Sequence, residues 1–168
     1  PGHVQDFVSG IPNCMVIDSA EDYLKDFIIE NFSSSLIRFY YGTDLIGNEI
    51  GAASKNVMGI AAGILDGLQY TSLKGALMSR GTREIARLIK SLDGNEFSAY
   101  GLAHLGDYQA TLFSEHSNNL RFGKSLVIGE KYEKLAEGVP TTEALLDLGK
   151  KTGVELPICQ AVHDVVVG

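Results

Sequence analysis

Apolar residues recur at helical spacing through residues 45–68, where Ile46, Ile50, Val57, Ile60, Ala61, Ile64, Leu65 and Leu68 line up. The same periodicity predicts helices over residues 73–92, 100–111, 118–127, 142–152 and 159–167. Turn chemistry falls at Asp93-Gly94, Gly123, Gly129, Gly138-Val139-Pro140 and Gly153, and Pro157 suits a first helical turn. The first part of the chain reads differently. Cys14-Met15-Val16-Ile17 and residues 36–41 have strand character, and Ser19 is placed to cap a helix over residues 20–31. Two strands and one helix are too few to make a stable sheet alone, so they are expected to belong to a larger one. The chain therefore divides into residues 1–42, a strand-helix-strand tail, and residues 43–168, an all-helical domain.

The long helix carries an unusual ridge. Gly47, Gly51, Lys55, Gly59, Gly63 and Gly67 are spaced four apart, and residues four apart are neighbours on a helix surface. Each glycine inside a helix costs up to about 1 kcal/mol relative to alanine, so something is expected to approach this backbone closely. Two readings compete. Small-residue ridges let helices pack closely. A lysine held among them can be stripped of water and become a proton acceptor.

Composition narrows the partners. The chain has 168 residues, 45% of them hydrophobic, and a formal net charge of -7, which disfavours nucleic acid as a partner. Cys14 and Cys159 are too few for a disulfide framework and read as buried thiols of a reducing, cytoplasmic compartment. No apolar run is long enough for a membrane span. A start at Pro1, with His3, Val4 and Phe7 resembling interior sequence, reads as a piece of a longer protein.

Four segments carry possible chemistry: Lys55-Asn56 on the ridge; Gly106-Asp107, a carboxylate among small residues; Ser117-Asn118-Asn119 at a helix start, where backbone N–H groups favour a phosphate; and Glu137-Gly138-Val139-Pro140-Thr141, a tight polar turn. Each has a plain structural alternative as a cap or connector. His3, His104, His116 and His163 lack the spacing of a metal site and read as structural or surface residues. No Gly-x-Gly-x-x-Gly occurs, so no dinucleotide-binding loop lies in this chain.

In order, these segments resemble the C-terminal part of the bacterial NAD(P)-dependent glycerol-3-phosphate dehydrogenases. The resemblance rests on the run from Gly51 to Leu68, on Ser79-Arg80-Gly81, and on Gly101-Leu102-Ala103-His104-Leu105-Gly106-Asp107. It continues through Thr111, Ser117, Asn119, Arg121-Phe122-Gly123, residues 137–141 and Leu156-Pro157-Ile158. It implies a mainly α fold: a helical substrate-binding domain like the C-terminal domain of 6-phosphogluconate dehydrogenase, preceded by the tail of a Rossmann-type domain. It also implies NAD or NADP as cofactor, a small phosphorylated substrate, a homodimer, and a role in supplying glycerol 3-phosphate for phospholipid synthesis. Lys55 and Asp107 would be catalytic. Asn56, Thr111, Ser117, Asn118 and Asn119 would join them in holding substrate. Asn118, Leu135 and Glu137 would contact the cofactor. With the cofactor domain upstream of Pro1, the 168-residue piece by itself is expected to be inactive.

One departure stands out. Where the family pattern carries arginines, this chain has Asn118 and Leu120. An amide does not replace a bidentate guanidinium at an anion, and Arg121 on the same helix face is the nearest substitute. That leaves two further readings: a helical dimerisation or scaffold domain that has lost catalysis, or a related dehydrogenase of another hydroxy acid or phosphorylated polyol.

Overall fold

A computed structural model describes residues 4–168; the reading of His3 lies outside the described residues. The elements, in order, are α1 (Val4–Val8), β1 (Asn13–Ile17), α2 (Asp22–Phe32), β2 (Ile37–Tyr41), α3 (Leu45–Gly67) and α4 (Lys74–Ser91). They continue with α5 (Tyr108–Leu112), α6 (Asn118–Ile128), α7 (Gly138–Thr152) and α8 (Pro157–Val167). The molecule is mainly helical with two short strands near its N-terminus. β1 and β2 pair in parallel, Asn13 opposite Ile37 through Ile17 opposite Tyr41, and among the described residues they form a two-stranded sheet. Apolar side chains of α2, Tyr23, Phe27 and Phe32 among them, face outward.

Acidic side chains tie the sheet to the helices. The Asp44 carboxylate caps α3 by accepting from Gly47 N at 3.2 Å, and it also accepts from Asn95 N and Ser98 Oγ. Asp18, just beyond β1, accepts from Asp44 N and from the Asn48 side chain. Lys25, nearly buried on α2, donates to the Gly42 carbonyl at 2.9 Å, pairs with Asp22 and lies 4.1 Å from the Tyr41 ring centroid.

α3 runs through the middle of the helical part, with Val57, Met58 and Ile60 fully buried. α4 and α8 close the core with Ile85, Leu88, Ile89, Cys159 and Val162. Glu84 of α4 is itself buried, and its two carboxyl oxygens accept from Ile158 N and Cys159 N at 2.9 and 3.0 Å. They thereby satisfy the orphan amides at the start of α8. Pro157 occupies the first turn of that helix, where its missing N–H costs nothing.

The glycine ridge faces several partners. A Cβ on Gly63 would fall inside contact distance of the Leu120 carbonyl, and one on Gly123 of α6 would strike the Ile60 carbonyl. α3 and α6 thus cross backbone against backbone. Gly51 faces His104, where an added Cβ would sit 3.1 Å from the His104 Cβ. The glycines pack against neighbouring elements, and Lys55 between them faces a cleft.

The structure corrects several expectations. The helix expected over residues 100–111 is broken into a 3₁₀ turn at Glu96–Tyr100, a second at Leu105–Asp107, and the short α5. The cause is a knot of turns around Gly101, whose carbonyl accepts from both His104 N and Gly106 N. α7 begins at Gly138 rather than Thr142, because Pro140 fits a first helical turn and the Gly138 N–H is taken by the Asn119 side chain. Gly123 lies inside α6, not at a turn. Ser19 does not cap α2: it accepts from Glu21 N in the preceding turn, and Glu21 is the cap residue. The short α1 was not expected. Gly129 and Gly153 do end helices, with φ of 73° and 71°.

Candidate active site

The glycine-rich middle of α3 delivers Lys55 and Asn56 to one wall of a cleft of about 270 Å³. Asp107, at the end of the second 3₁₀ turn, and Thr111, one turn later on α5, form the facing wall. The start of α6 supplies the floor: Ser117 as N-cap, then Asn118 and Asn119. Leu135 and Glu137, from the connection into α7, form the rim. All nine side chains singled out from the sequence therefore line one cavity, although they span positions 55 to 137. Sequence reasoning passed over Ala110, a small residue in the same wall.

The polar groups are interlocked. Lys55 Nζ pairs directly with Asp107 Oδ2, and both side chains are largely buried, 26% and 11% exposed. Asn119 is the hub of the opposite side. Its Nδ2 donates to Asn56 Oδ1 at 3.1 Å, and its Oδ1 accepts from Gly138 N at 2.9 Å. Asn56 in turn donates to Glu137 Oε2 at 3.4 Å. Thr111 donates to the Asp107 carbonyl at 2.9 Å, which ties α5 to the 3₁₀ turn before it. Ser117 Oγ accepts from Leu120 N, which leaves its own O–H as a donor.

Asn118 has a partner that the sequence did not disclose. The Tyr132 hydroxyl donates to Asn118 Oδ1 at 2.9 Å, leaving the amide N–H₂ as the Asn118 donor. Arg121 lies one side chain further out, its guanidinium 5.8 Å from the Tyr132 ring centroid, and it does not line the cleft. Tyr132 also packs on Phe122, with centroids 5.9 Å apart. No local motif marks this contact; it arises because the chain reverses at Gly129 and returns along α6.

Behind Lys55 sits His104, fully buried. Its Nδ1 is 2.9 Å from the Gly51 carbonyl, which only accepts, so Nδ1 carries the proton. Nε2 then accepts from the Tyr108 hydroxyl at 2.6 Å. Burial above all, and secondarily the Lys55 charge, lowers the imidazole to about 4, from an ordinary 6.5; the Gly51 carbonyl works in the opposite direction. The folded protein thus resists a proton that the unfolded chain accepts. Above pH about 6.5 His104 contributes no pH dependence. As pH falls from there to about 4, stability falls by roughly 3 kcal/mol on its account. Urea unfolding at pH 7 and pH 4.5 checks this: the acid loss should be smaller in His104→Asn, and an equal loss in both proteins contradicts the assignment.

Other chemistries find less support. Burial first, then the neighbouring Glu84 carboxylate, pushes the Cys159 thiol upward, away from a thiolate nucleophile. Among the described residues, no three His, Cys, Asp or Glu side chains group as a metal site, and no helix is long and apolar enough to cross a membrane.

Residues 44–168 match the family model described as the NAD-dependent glycerol-3-phosphate dehydrogenase C-terminus. The chain is 40% identical to a glycerol-3-phosphate dehydrogenase [NAD(P)+] of Thermus thermophilus, covering 98% of this chain and 53% of the relative. It is 37% identical to one from Salinibacter ruber, over 99% of this chain and 51% of the relative. The chain spans about half the length of the curated relatives it matches. It superposes on the crystal structure of a glycerol-3-phosphate dehydrogenase from Coxiella burnetii with a TM-score of 0.92 at 29% identity, covering 98% of this chain and 53% of that one. The fold is also that of a Dunaliella salina protein, at a TM-score of 0.85 and 17% identity, over 99% of this chain and 32% of that one. The chain belongs to the family of C-terminal domains of NAD(P)-dependent glycerol-3-phosphate dehydrogenases.

Proposed function

We propose that this chain is the substrate-binding and catalytic half of an enzyme that interconverts glycerol 3-phosphate and dihydroxyacetone phosphate with NAD or NADP. The observation that carries the reading is the Lys55–Asp107 pair in a small, polar cleft. Oxidation of a secondary alcohol removes a hydride from carbon and a proton from oxygen. The bound nicotinamide supplies the hydride acceptor. Lys55 takes the hydroxyl proton, and Asp107 stabilises the ammonium that results. In the reverse direction Lys55 returns the proton to the carbonyl oxygen. Asn56 and Thr111 hold the remaining oxygens of the three-carbon backbone, and the start of α6 receives the phosphate through Ser117, Asn118, Asn119 and its own free amides.

Residues 1–42 fit the end of a dinucleotide-binding domain, because a parallel pair of strands with outward apolar side chains requires further strands and cover. The helical part offers a dinucleotide one face at the cleft rim. Leu135, 71% exposed, presents an apolar surface there, and Glu137 presents a carboxylate to which ribose hydroxyls or a carboxamide can donate.

The reading is tested by isothermal titration of the full-length protein with glycerol 3-phosphate and with glycerol. Saturable binding of the phosphate ester alone, weakened in Asn119→Ala, is the expected result. Equal binding of the two ligands, or no effect of the substitution, overturns it.

Among the described residues, the cleft lining contains one cation, Lys55, against the two carboxylates of Asp107 and Glu137. A phosphate there meets mostly neutral donors. Asn118→Arg should therefore lower KM for the phosphorylated substrate about tenfold with little change in kcat, since the added charge serves ground and transition states alike. An unchanged or raised KM places the phosphate elsewhere.

A further inference from the structure

We propose that His104 is a positioning residue for the Lys55–Asp107 pair, fastening the turn of α3 that carries Lys55 to the segment that ends in Asp107. The inference rests on the reading of Lys55 as the proton acceptor.

Three contacts carry it. The imidazole Nδ1–H donates to the Gly51 carbonyl at 2.9 Å, and in an α-helix that same carbonyl accepts from the Lys55 N–H one turn on. Ser54, the residue before Lys55, places its hydroxyl 3.2 Å from Nδ1 and 3.2 Å from the Gly51 carbonyl. On its far side the ring accepts from Tyr108, the residue after Asp107, at 2.6 Å. The imidazole thus bonds to one residue beside the base and to one residue beside the carboxylate, and the two catalytic side chains project from the elements it joins. The approach is close because Gly51 has no side chain. The carboxylate sits on the 3₁₀ turn Leu105–Asp107, which contains Gly106 and follows the turn at Gly101.

The ring is suited to this by staying neutral. A neutral imidazole donates at one nitrogen and accepts at the other, which matches a carbonyl on one side and a hydroxyl on the other. It also adds no second positive charge beside Lys55. Its fully buried setting keeps it in that form through the working pH range.

Steady-state kinetics of the full-length protein with dihydroxyacetone phosphate test the proposal with three substitutions. His104→Phe fills the space and removes the hydrogen bonds at both ring nitrogens. His104→Asn keeps a donor near the Nδ1 position. His104→Gln places its amide near the Nε2 position and loses the Gly51 bond. A displacement of about 1 Å costs up to about 100-fold, so kcat should fall roughly 10- to 100-fold in His104→Phe, with KM for the cofactor unchanged. His104→Asn should recover to within a few-fold of wild type. A folded His104→Phe protein turning over at the wild-type rate overturns the proposal. If His104→Phe does not fold, the other two decide: Asn well above Gln supports the role, and equal rates overturn it. Lys55→Ala in the same series separates the two claims, because full activity there defeats the base assignment whatever His104 does.

Discussion

Lys55→Ala in the full-length protein should lower kcat for dihydroxyacetone phosphate reduction by roughly 10³-fold or more while leaving cofactor affinity in place. A positioned acid or base contributes on the order of 10²- to 10⁴-fold, and among the described residues Lys55 is the sole cation lining the cleft, so its loss also removes charge stabilisation of the developing alkoxide. The effect should fall mainly on kcat, because the proposed substrate contacts of Asn56, Thr111 and Asn119 are left in place. Lys55→Arg should be nearly as inactive. Its guanidinium restores the charge beside Asp107 but does not exchange a proton near neutral pH. Substantial activity in the arginine variant would assign Lys55 an electrostatic role in place of proton transfer. Steady-state kinetics of the three proteins, with cofactor binding measured separately, make the distinction.

Gly63→Ala should be among the most damaging single methyl additions at the described glycines, costing about 3 kcal/mol or more and lowering Tm by roughly 6–12 °C. The added Cβ meets not a side chain that can turn away but the Leu120 carbonyl and, at 2.8 Å, the Lys124 backbone nitrogen. Relief requires α6 to move off α3. Since α6 begins with Ser117, Asn118 and Asn119, the same shift opens that end of the cleft. Activity should therefore fall with stability. Gly75→Ala is the matching control: it lies in the first turn of α4 with nothing within 4 Å of an added Cβ, and should be neutral or stabilising by up to about 1 kcal/mol. Thermal denaturation of the two variants beside wild type checks both. Comparable Tm values for all three would mean that the helices do not cross as closely as described.

Periodicity made the long helices legible. α3 and α4 end within a residue or two of the expected bounds because each carries a sustained apolar stripe and ends at polar or turn-forming residues. The ridge announced a close approach to α3, but not that different glycines meet different partners: Gly51 a side chain, Gly63 a backbone. That depends on how α6 and the His104 segment return to α3, and tertiary return is not written in local pattern. Residues 100–111 misled for a related reason. Their apolar spacing is helical, yet Gly101 and Gly106 favour tight turns, and the buried contacts of His104 and Tyr108 fix those turns in place. The cleft residues were found because side-chain chemistry and family resemblance agree on them. Tyr132 was not, since a lone tyrosine in a charged connection carries no signal until Asn118 is seen beside it.

The decisive measurement is the oxidation of NADH and of NADPH by the full-length protein in the presence of dihydroxyacetone phosphate, set against unphosphorylated dihydroxyacetone. Turnover should require the phosphate and disappear in Lys55→Ala. A folded, cofactor-binding protein that leaves dihydroxyacetone phosphate untouched would contradict it.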